Sequence, residues 1–380
     1  IYELIYELEI MIRQQRAFYK NAFNLDENGH GGEKRSFQIH DLFSKNLELI
    51  NVRELKKVFN PWYIRYWIGF KFLYRNKLLL KQIKNCSLVG FKVLNFMSWI
   101  KSNKDIELFI WEPNYSYDDY FIPLLCRAYD VKIIALPHNI ESLVLHRKSA
   151  ISGRISPSWF HEEITILKSC DVIFTISLED QWLLSLYGLT VNYLEYMPSA
   201  NVIQHCKTIN KKRHKAKSND SLLMLGTAHN TPTADGMRAV IDYVIEKKLQ
   251  FNLIIAGYGT EDLVKKHKEL PLNVKILGSV SIDDLSSLLV SCKALLVYQK
   301  NATGVLTKLQ EFVLAGIPVI ANNISLRSFH NINGLHNINS LEDLNNLQYL
   351  KLESPARDDE AISRSYKKQL EAIAYSISNI

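Results

Sequence analysis

Short apolar runs alternate along the chain with longer stretches in which apolar positions recur at helical spacing, a pattern that predicts buried strands separated by helices. In the first half, Leu47–Val52, Leu108–Trp111, Lys132–Leu136 and Val172–Ile176 read as strands, being short, apolar and rich in β-branched residues. A weaker strand is expected before the loop Asn28-Gly29-His30-Gly31-Gly32. Helices are expected over Glu33–Ser44, much of 54–102, Asp118–Tyr129, Pro157–Ser169 and Leu178–Tyr187. The stretch Asn201–Asp220 breaks the pattern. It carries Lys207, Lys211, Lys212, Arg213, His214, Lys215 and Lys217 with almost no aliphatic residues, and reads as a solvated basic linker. The alternation then restarts, with strands at Ser221–Leu225, Phe251–Ala256, Val274–Leu277, Ala294–Tyr298 and Pro318–Ala321. Helices are expected at Thr233–Lys247, Glu261–Leu270, Ile282–Ser291, Thr307–Ala315 and Asp358–Ser378. Strands that alternate with helices build open parallel sheets. The chain is therefore expected to be α/β, with doubly wound domains at 1–200 and 221–356 facing a central cleft. A linker at 201–220 would join them, and a last helix within 357–380 would pack across the domain junction.

Composition changes this picture little. A length of 380 residues suits two domains, and a 47% hydrophobic, 22% charged chain is globular rather than disordered. The longest apolar helical stretch, Leu88–Ile100, is too short to span a bilayer and contains Lys92. The start, Ile1-Tyr2-Glu3-Leu4, is neither a Met nor a signal peptide, so the sequence is expected to lack its native first residues. Cys86, Cys126, Cys170, Cys206 and Cys292 are scattered and odd in number, the usage of reduced thiols in a cytoplasmic protein.

Charge matters more than its sum of +7, because it is concentrated. Arg53, Lys56, Lys57, Arg65, Lys71, Arg75, Lys77, Lys81 and Lys84 are opposed only by Glu54, and lie among Trp62, Tyr63, Tyr66, Trp67, Phe70, Phe72 and Tyr74. Two readings stand for 53–84: a helix lying on an anionic membrane surface, or a helical insertion with its aromatics on the core and a solvated basic face. Nucleic acid is not expected as a partner, since no recognition motif accompanies the charge.

The most informative chemistry lies in Thr303-Gly304-Val305-Leu306-Thr307-Lys308-Leu309-Gln310-Glu311, continued by Phe312–Ala321. A glycine ahead of a helix lets the backbone approach a ligand, and the first helical turn offers N–H groups and partial positive charge to a diphosphate. Lys308 adds a full charge in that turn. Glu311 shares its face by i,i+3 spacing and could accept hydrogen bonds from a ribose diol. Gly316 reads as the helix cap, ahead of Pro318 and a buried strand.

This stretch, Gly-x-x-x-Lys-Leu-x-Glu-x-x-x-Ala-Gly-x-Pro-Val-Ile, resembles the nucleotide-sugar signature of GT-B glycosyltransferases, nearest to the retaining group called family 4 (glycosyl transferases group 1). Other segments are similar in order and spacing. Leu222–Gly226 with Thr227, Asn230-Thr231-Pro232 and Asp235-Gly236 resembles the first strand and loop of that family's donor domain. Ile254–Gly259, with Gly257 and Tyr258, and Val274–Val280, with Gly278 and Val280, resemble its next two strand ends. Pro137-His138-Asn139-Ile140-Glu141 looks like its histidine loop, and Asn28–Arg35, with Gly31 and Gly32, like its glycine-rich N-terminal loop. The resemblance spans about 28–330 and leaves 54–102 uncovered. It implies two Rossmann-like domains, a retaining transfer, and no metal or other cofactor. It also implies that His138 contacts the donor sugar near its reacting carbon, while Lys308, Glu311, Thr303–Thr307 and the glycine tips hold the nucleotide diphosphate. Glu141 would orient the His138 loop or cap the next helix.

Two departures stand out. Many members carry a glutamate eight positions before the second one, where this chain has Thr303; a branch of the family lacks it and keeps Lys-x-x-Glu, as here. Many also hold the diphosphate with a basic residue after the first donor-domain strand, where 226–236 offers only His229. No P-loop, no Gly-x-Gly-x-x-Gly at the first strand–helix turn, no Gly-x-Ser-x-Gly, no zinc-ligand cluster and no Asp-x-Asp occurs. The expected activity is sugar transfer from a nucleotide-diphosphate sugar to a glycan or lipid-linked acceptor, in cell-envelope polysaccharide assembly at the cytoplasmic membrane. A nucleotide-sugar epimerase of the same architecture and a non-catalytic scaffold stay open as alternatives.

Overall fold

The computed structural model describes residues 15–78, 82–116, 119–265, 269–301, 303–329, 332–355 and 359–380. Two compact units divide the chain: 1–195 with 366–380, and 196–365.

The first unit is a six-stranded sheet in the order β2-β1-β3-β4-β5-β6, parallel throughout. Its strands are β1 (Arg16–Lys20), β2 (Glu48–Asn51), β3 (Leu108–Trp111), β4 (Lys132–Ala135), β5 (Val172–Thr175) and β6 (Val191–Tyr193). Alternation along the strands serves both faces. Phe18, Phe109, Trp111, Ile133 and Ile173 point to one face, while Ala17, Tyr19, Ile110, Ile134 and Phe174 point to the other. The first face is covered by α3 (Cys86–Ser102), α4 (Ile122–Ala128) and α5 (Phe160–Leu167), through Val93, Phe96, Leu125, Ile164 and Leu167. The second is covered by α1 (Gly31–Ser44), through Ile39, Leu42 and Phe43. Ile373 and Ile377, from the end of the last helix, complete that face.

The segment 54–102 forms a helical hairpin of α2 (Trp62–Arg75) and α3. The two helices touch backbone to backbone, since a Cβ at Gly69 would overlap the Cys86 carbonyl and one at Gly90 the Arg65 carbonyl. Leu73 is buried and Phe70 and Phe72 pack on the core, but Trp62 (67% exposed), Trp67 (65%) and Tyr74 (69%) face solvent. The aromatics of this insertion are thus divided between core and surface. Between β5 and β6 lies α6 (Leu178–Leu186).

The second unit is a parallel sheet in the order β12-β11-β10-β7-β8-β9. Its strands are β7 (Ser221–Leu225), β8 (Asn252–Ala256), β9 (Val274–Ile276), β10 (Ala294–Val297), β11 (Val319–Asn322) and β12 (Leu335–Ile338). Its helices are α7 (Ala200–Lys215), α8 (Thr231–Glu246), α9 (Ile282–Ser291) and α10 (Thr307–Leu314). The final helix, α11 (Asp359–Ser378), runs from the second unit's residues into those grouped with the first. Both sheets reverse their winding once, between β1 and β3 and between β7 and β10. At such switch points the carboxyl ends of neighbouring strands open a crevice for ligands.

Two sequence expectations are corrected. The basic stretch 201–220 is helical over most of its length. Ser199 caps α7, and Val202, Cys206 and Ile209 form one buried stripe at i, i+4, i+7. Arg213 binds the carbonyls of Leu289 (2.5 Å), Val290 (3.2 Å) and Cys292 (2.9 Å) at the end of α9. These three buried residues carry the packing, while Gln204, His205, Lys211, Lys212, His214 and Lys215 are exposed. The helix expected at Glu261–Leu270 is a 3-10 turn, Thr260–Val264, after Gly259 in the left-handed region; residues 266–268 lie outside the described residues. The edge strands β6 and β12 have no counterpart among the expected elements, because half-exposed Asn192, Tyr193 and His336 and exposed Asn337 interrupt the apolar signal.

Candidate functional site

In the second unit the strand tips form one connected rim. Gly226 N–H donates to the Ala256 carbonyl (3.2 Å), Ala228 N–H to Tyr258 (2.9 Å) and Gly257 N–H to Gly278 (2.7 Å). A Cβ at Gly257 would overlap the Gly226 carbonyl, so only glycine permits this approach. The Thr227 hydroxyl donates to the Tyr258 carbonyl (3.4 Å) and accepts from His229 N–H (3.2 Å). The His229 ring stacks on exposed Tyr258, with centroids 4.9 Å apart. Val280 lies partly exposed beyond the Gly278 tip.

Helix α10 begins beside this rim. Gly304 is buried with φ of +74°, Thr303, Val305 and Leu306 are half-buried, and Thr307 opens the helix with no side-chain cap on it. Lys308 Nζ donates to the Leu225 carbonyl at 2.6 Å and would stand 3.4 Å from a Cβ at Gly226. The lysine therefore ties the start of α10 to the tip of β7, at the switch point. Desolvation pushes its ammonium down to about 8 against the opposing attraction of Glu311. Glu311 follows one turn later and accepts from the Tyr196 hydroxyl (3.3 Å). Gly316, with φ of +66°, ends the helix as its cap. Sequence reasoning did not identify Tyr196, which is buried and distant in sequence.

In the first unit the switch point is built around Glu112, a fully buried carboxylate one residue past β3. It accepts from the Tyr19 hydroxyl (2.5 Å), Ala22 N–H (3.3 Å), the Ser36 hydroxyl and His138 Nε2 (2.8 Å). Burial alone would raise this carboxyl, but the bonds from His138, Ser36 and Tyr19 outweigh it and hold the group below its ordinary value. An ionised Glu112 requires the proton on Nε2, which leaves Nδ1 of a neutral His138 as the acceptor. The ring of Phe23 lies 5.2 Å from both His138 and His30.

His30, unassigned from sequence, is the N-cap of α1. Its Nδ1 accepts from Gly32 N–H (3.1 Å), and Glu33 returns a bond to His30 N–H (3.1 Å). Gly31 and Gly32 form the first turn of that helix rather than a free loop, and a Cβ at Gly32 would strike Phe23. Glu141 opens a 3-10 turn, accepts from Asn139 (3.2 Å) and pairs with Arg147 (3.1 Å), which favours the loop-orienting role over a helix cap. Tyr19, Ser36 and Glu112 were missed in the sequence. The one available signal was a carboxylate at the end of the apolar run Leu108–Trp111.

Among the described residues no group of three or more His, Cys, Asp or Glu could hold a metal ion, and no helix is long and apolar enough to cross a membrane.

Residues 219–343 match the family model "Glycosyl transferases group 1". No curated protein matches the chain in sequence. Among solved structures it is similar to HepE from Anabaena in complex with UDP-glucose, at 14% identity and TM-score 0.54, covering 95% of this chain and 94% of that one. It is similar to sucrose-phosphate synthase from Thermosynechococcus elongatus, at 12% identity and TM-score 0.57, covering 96% and 98%. A third is the UDP-forming α,α-trehalose-phosphate synthase from Burkholderia vietnamiensis, at 10% identity and TM-score 0.56, covering 94% and 95%. At such identities these likenesses establish the fold, two Rossmann-like units of GT-B type. The chain thus has the GT-B architecture, and residues 219–343 of its second unit are similar to the glycosyl transferases group 1.

Proposed function

We propose that the protein transfers a sugar, with retention, from a nucleotide-diphosphate sugar to a glycan or lipid-linked acceptor, without a metal. The observation that carries the donor class is Lys308, which joins an uncapped helix start to the glycine rim at the switch point. Cation, helix amides and close backbone together suit a diphosphate leaving group, whose developing charge they would stabilise in the transition state. Glu311 takes the ribose hydroxyls. His138, with Nε2 committed to Glu112, offers Nδ1 to a hydroxyl of the donor sugar. Uridine donors are the first to try, since HepE binds UDP-glucose and the trehalose-phosphate synthase is UDP-forming.

A panel of labelled nucleotide sugars tests this reading. Transfer or donor hydrolysis, undiminished by EDTA, is expected; interconversion of the sugars would indicate an epimerase, and no binding a scaffold. Glu311→Ala and His138→Ala should each lower kcat/KM about a hundredfold, the scale of a lost transition-state contact. Full activity in both would overturn the site.

We further place the enzyme in cell-envelope polysaccharide assembly, peripheral on the cytoplasmic membrane through α2. Exposed Trp62, Tyr63, Trp67 and Tyr74 alternate there with exposed Lys71, Arg75 and Lys77, the composition that seats a helix among anionic headgroups. Flotation with phosphatidylglycerol vesicles should recover the protein. Combined Lys71→Glu, Arg75→Glu and Lys77→Glu should weaken recovery at least about tenfold, given roughly 1 kcal/mol per basic residue. Unchanged flotation would sink the membrane assignment.

A further inference from the structure

His138 is held from two directions. Its imidazole rests on Glu112, while the loop after it passes through Asn139 and Ile140 into the turn Glu141–Leu143. Glu163, on α5, is fully buried and lies against that turn. One of its oxygens accepts from Glu141 N–H at 2.9 Å, the other from Ser142 N–H at 2.8 Å. A carboxylate taking two successive amides at the start of a turn acts as an N-cap does, with charge-assisted bonds. The sugar-transfer reading gives Glu163 no chemical task, and a buried acid with no task is costly to keep.

We propose that Glu163 is a positioning residue for His138: its carboxylate, by clamping the Glu141 and Ser142 amides, fixes the loop so that the imidazole stays on Glu112 in the orientation sugar transfer needs. The role of His138 rests on the proposed function; the clamp itself does not.

Burial pushes the Glu163 carboxyl up to about 7, against the pull of the amides and of Tyr115. The clamp is therefore charged above neutrality and neutral below it. The groups around it are Tyr115 and Cys170, both driven up by burial and hence uncharged in this range. Glu141 is also raised by burial, while Arg147, Asn139 and His138 oppose that shift. Glu112 is held low and stays ionised. A Glu141→Gln control separates the titration of Glu141 from that of Glu163.

Hydrogen exchange of the peptide spanning 139–144, corrected for intrinsic rates between pH 5.5 and 8.5, reads the clamp without any substrate. Protection should fall about tenfold as pH drops through neutrality, the ratio between charge-assisted and neutral hydrogen bonds. In Glu163→Gln that pH dependence should vanish, and kcat should fall about tenfold or more with donor KM changed less than about threefold. Combined with His138→Ala, it should add little to the loss from His138→Ala alone. Protection of the Glu141 and Ser142 amides in Glu163→Gln equal to that of the wild type at every pH would overturn the clamp, and Glu163→Asp, whose shorter side chain cannot reach both amides, gives the same readout if the glutamine variant fails to fold. Losses that add in full would overturn action through His138. If no nucleotide sugar is turned over, the functional reading fails while the exchange experiment still decides the clamp.

Discussion

Lys308 serves structure and charge with one ammonium. It anchors α10 to the Leu225 carbonyl, and desolvation lowers it to about 8, so it is cationic near neutrality and loses its charge as pH rises. If it meets a diphosphate, UDP affinity should weaken between pH 7 and 9, where its charged fraction drops from about nine-tenths to about one-tenth. Calorimetry over that range checks this, and a flat profile would remove Lys308 from the phosphate contact. Lys308 and Glu311 were legible in sequence because they sit within one helical turn of each other. Glu112 was not, because its donors come from residues 19, 22, 36 and 138, which only the fold brings together. Glu112→Gln should cost about 1–3 kcal/mol by setting an NH2 group against converging donors. It should also free the His138 tautomer and lower kcat. Denaturant midpoints and initial rates measure the two effects separately.

At the scale of elements, strands buried on both faces were the easiest to read, since their apolar runs are uninterrupted; Leu108–Trp111 was read to the residue. Helix α7 was harder. Its charge suggested a linker, while its three buried residues, spaced at i, i+4 and i+7, carry the packing. Ile209→Ala should therefore destabilise the second unit by about 2–4 kcal/mol, the cost of a large-to-small change in a core, whereas a true linker would tolerate it. Chemical denaturation followed by circular dichroism distinguishes these outcomes. The α2–α3 hairpin shows the opposite case, in which rich aromatic patterning did not reveal which side would face the core. Backbone contact at Gly69 and Gly90 fixes how the helices meet and leaves Trp62 and Trp67 outside.

For the whole molecule, each unit has its own sheet and its own switch point, and the proposed donor residues other than His138, Gly31 and Gly32 lie in the second. UDP at a hundredfold excess over its Kd should stabilise the fold that binds it by about 2.7 kcal/mol. Exchange protection should be strongest over 226–229, 257–259 and 304–311, and protection confined to the first unit would contradict this assignment. The sequence by itself determined the α/β class, most of the strands, and the stretch from Gly304 to Glu311, because each depends on local spacing, propensity or a single turn of helix. Tertiary structure decided what depends on distant chain segments meeting in a low-dielectric interior. It put Lys308 on the tip of β7, converged four donors on Glu112, and set Glu163 beneath the loop of His138. Buried polar groups must find partners, and those partners are chosen by topology rather than by their neighbours in sequence.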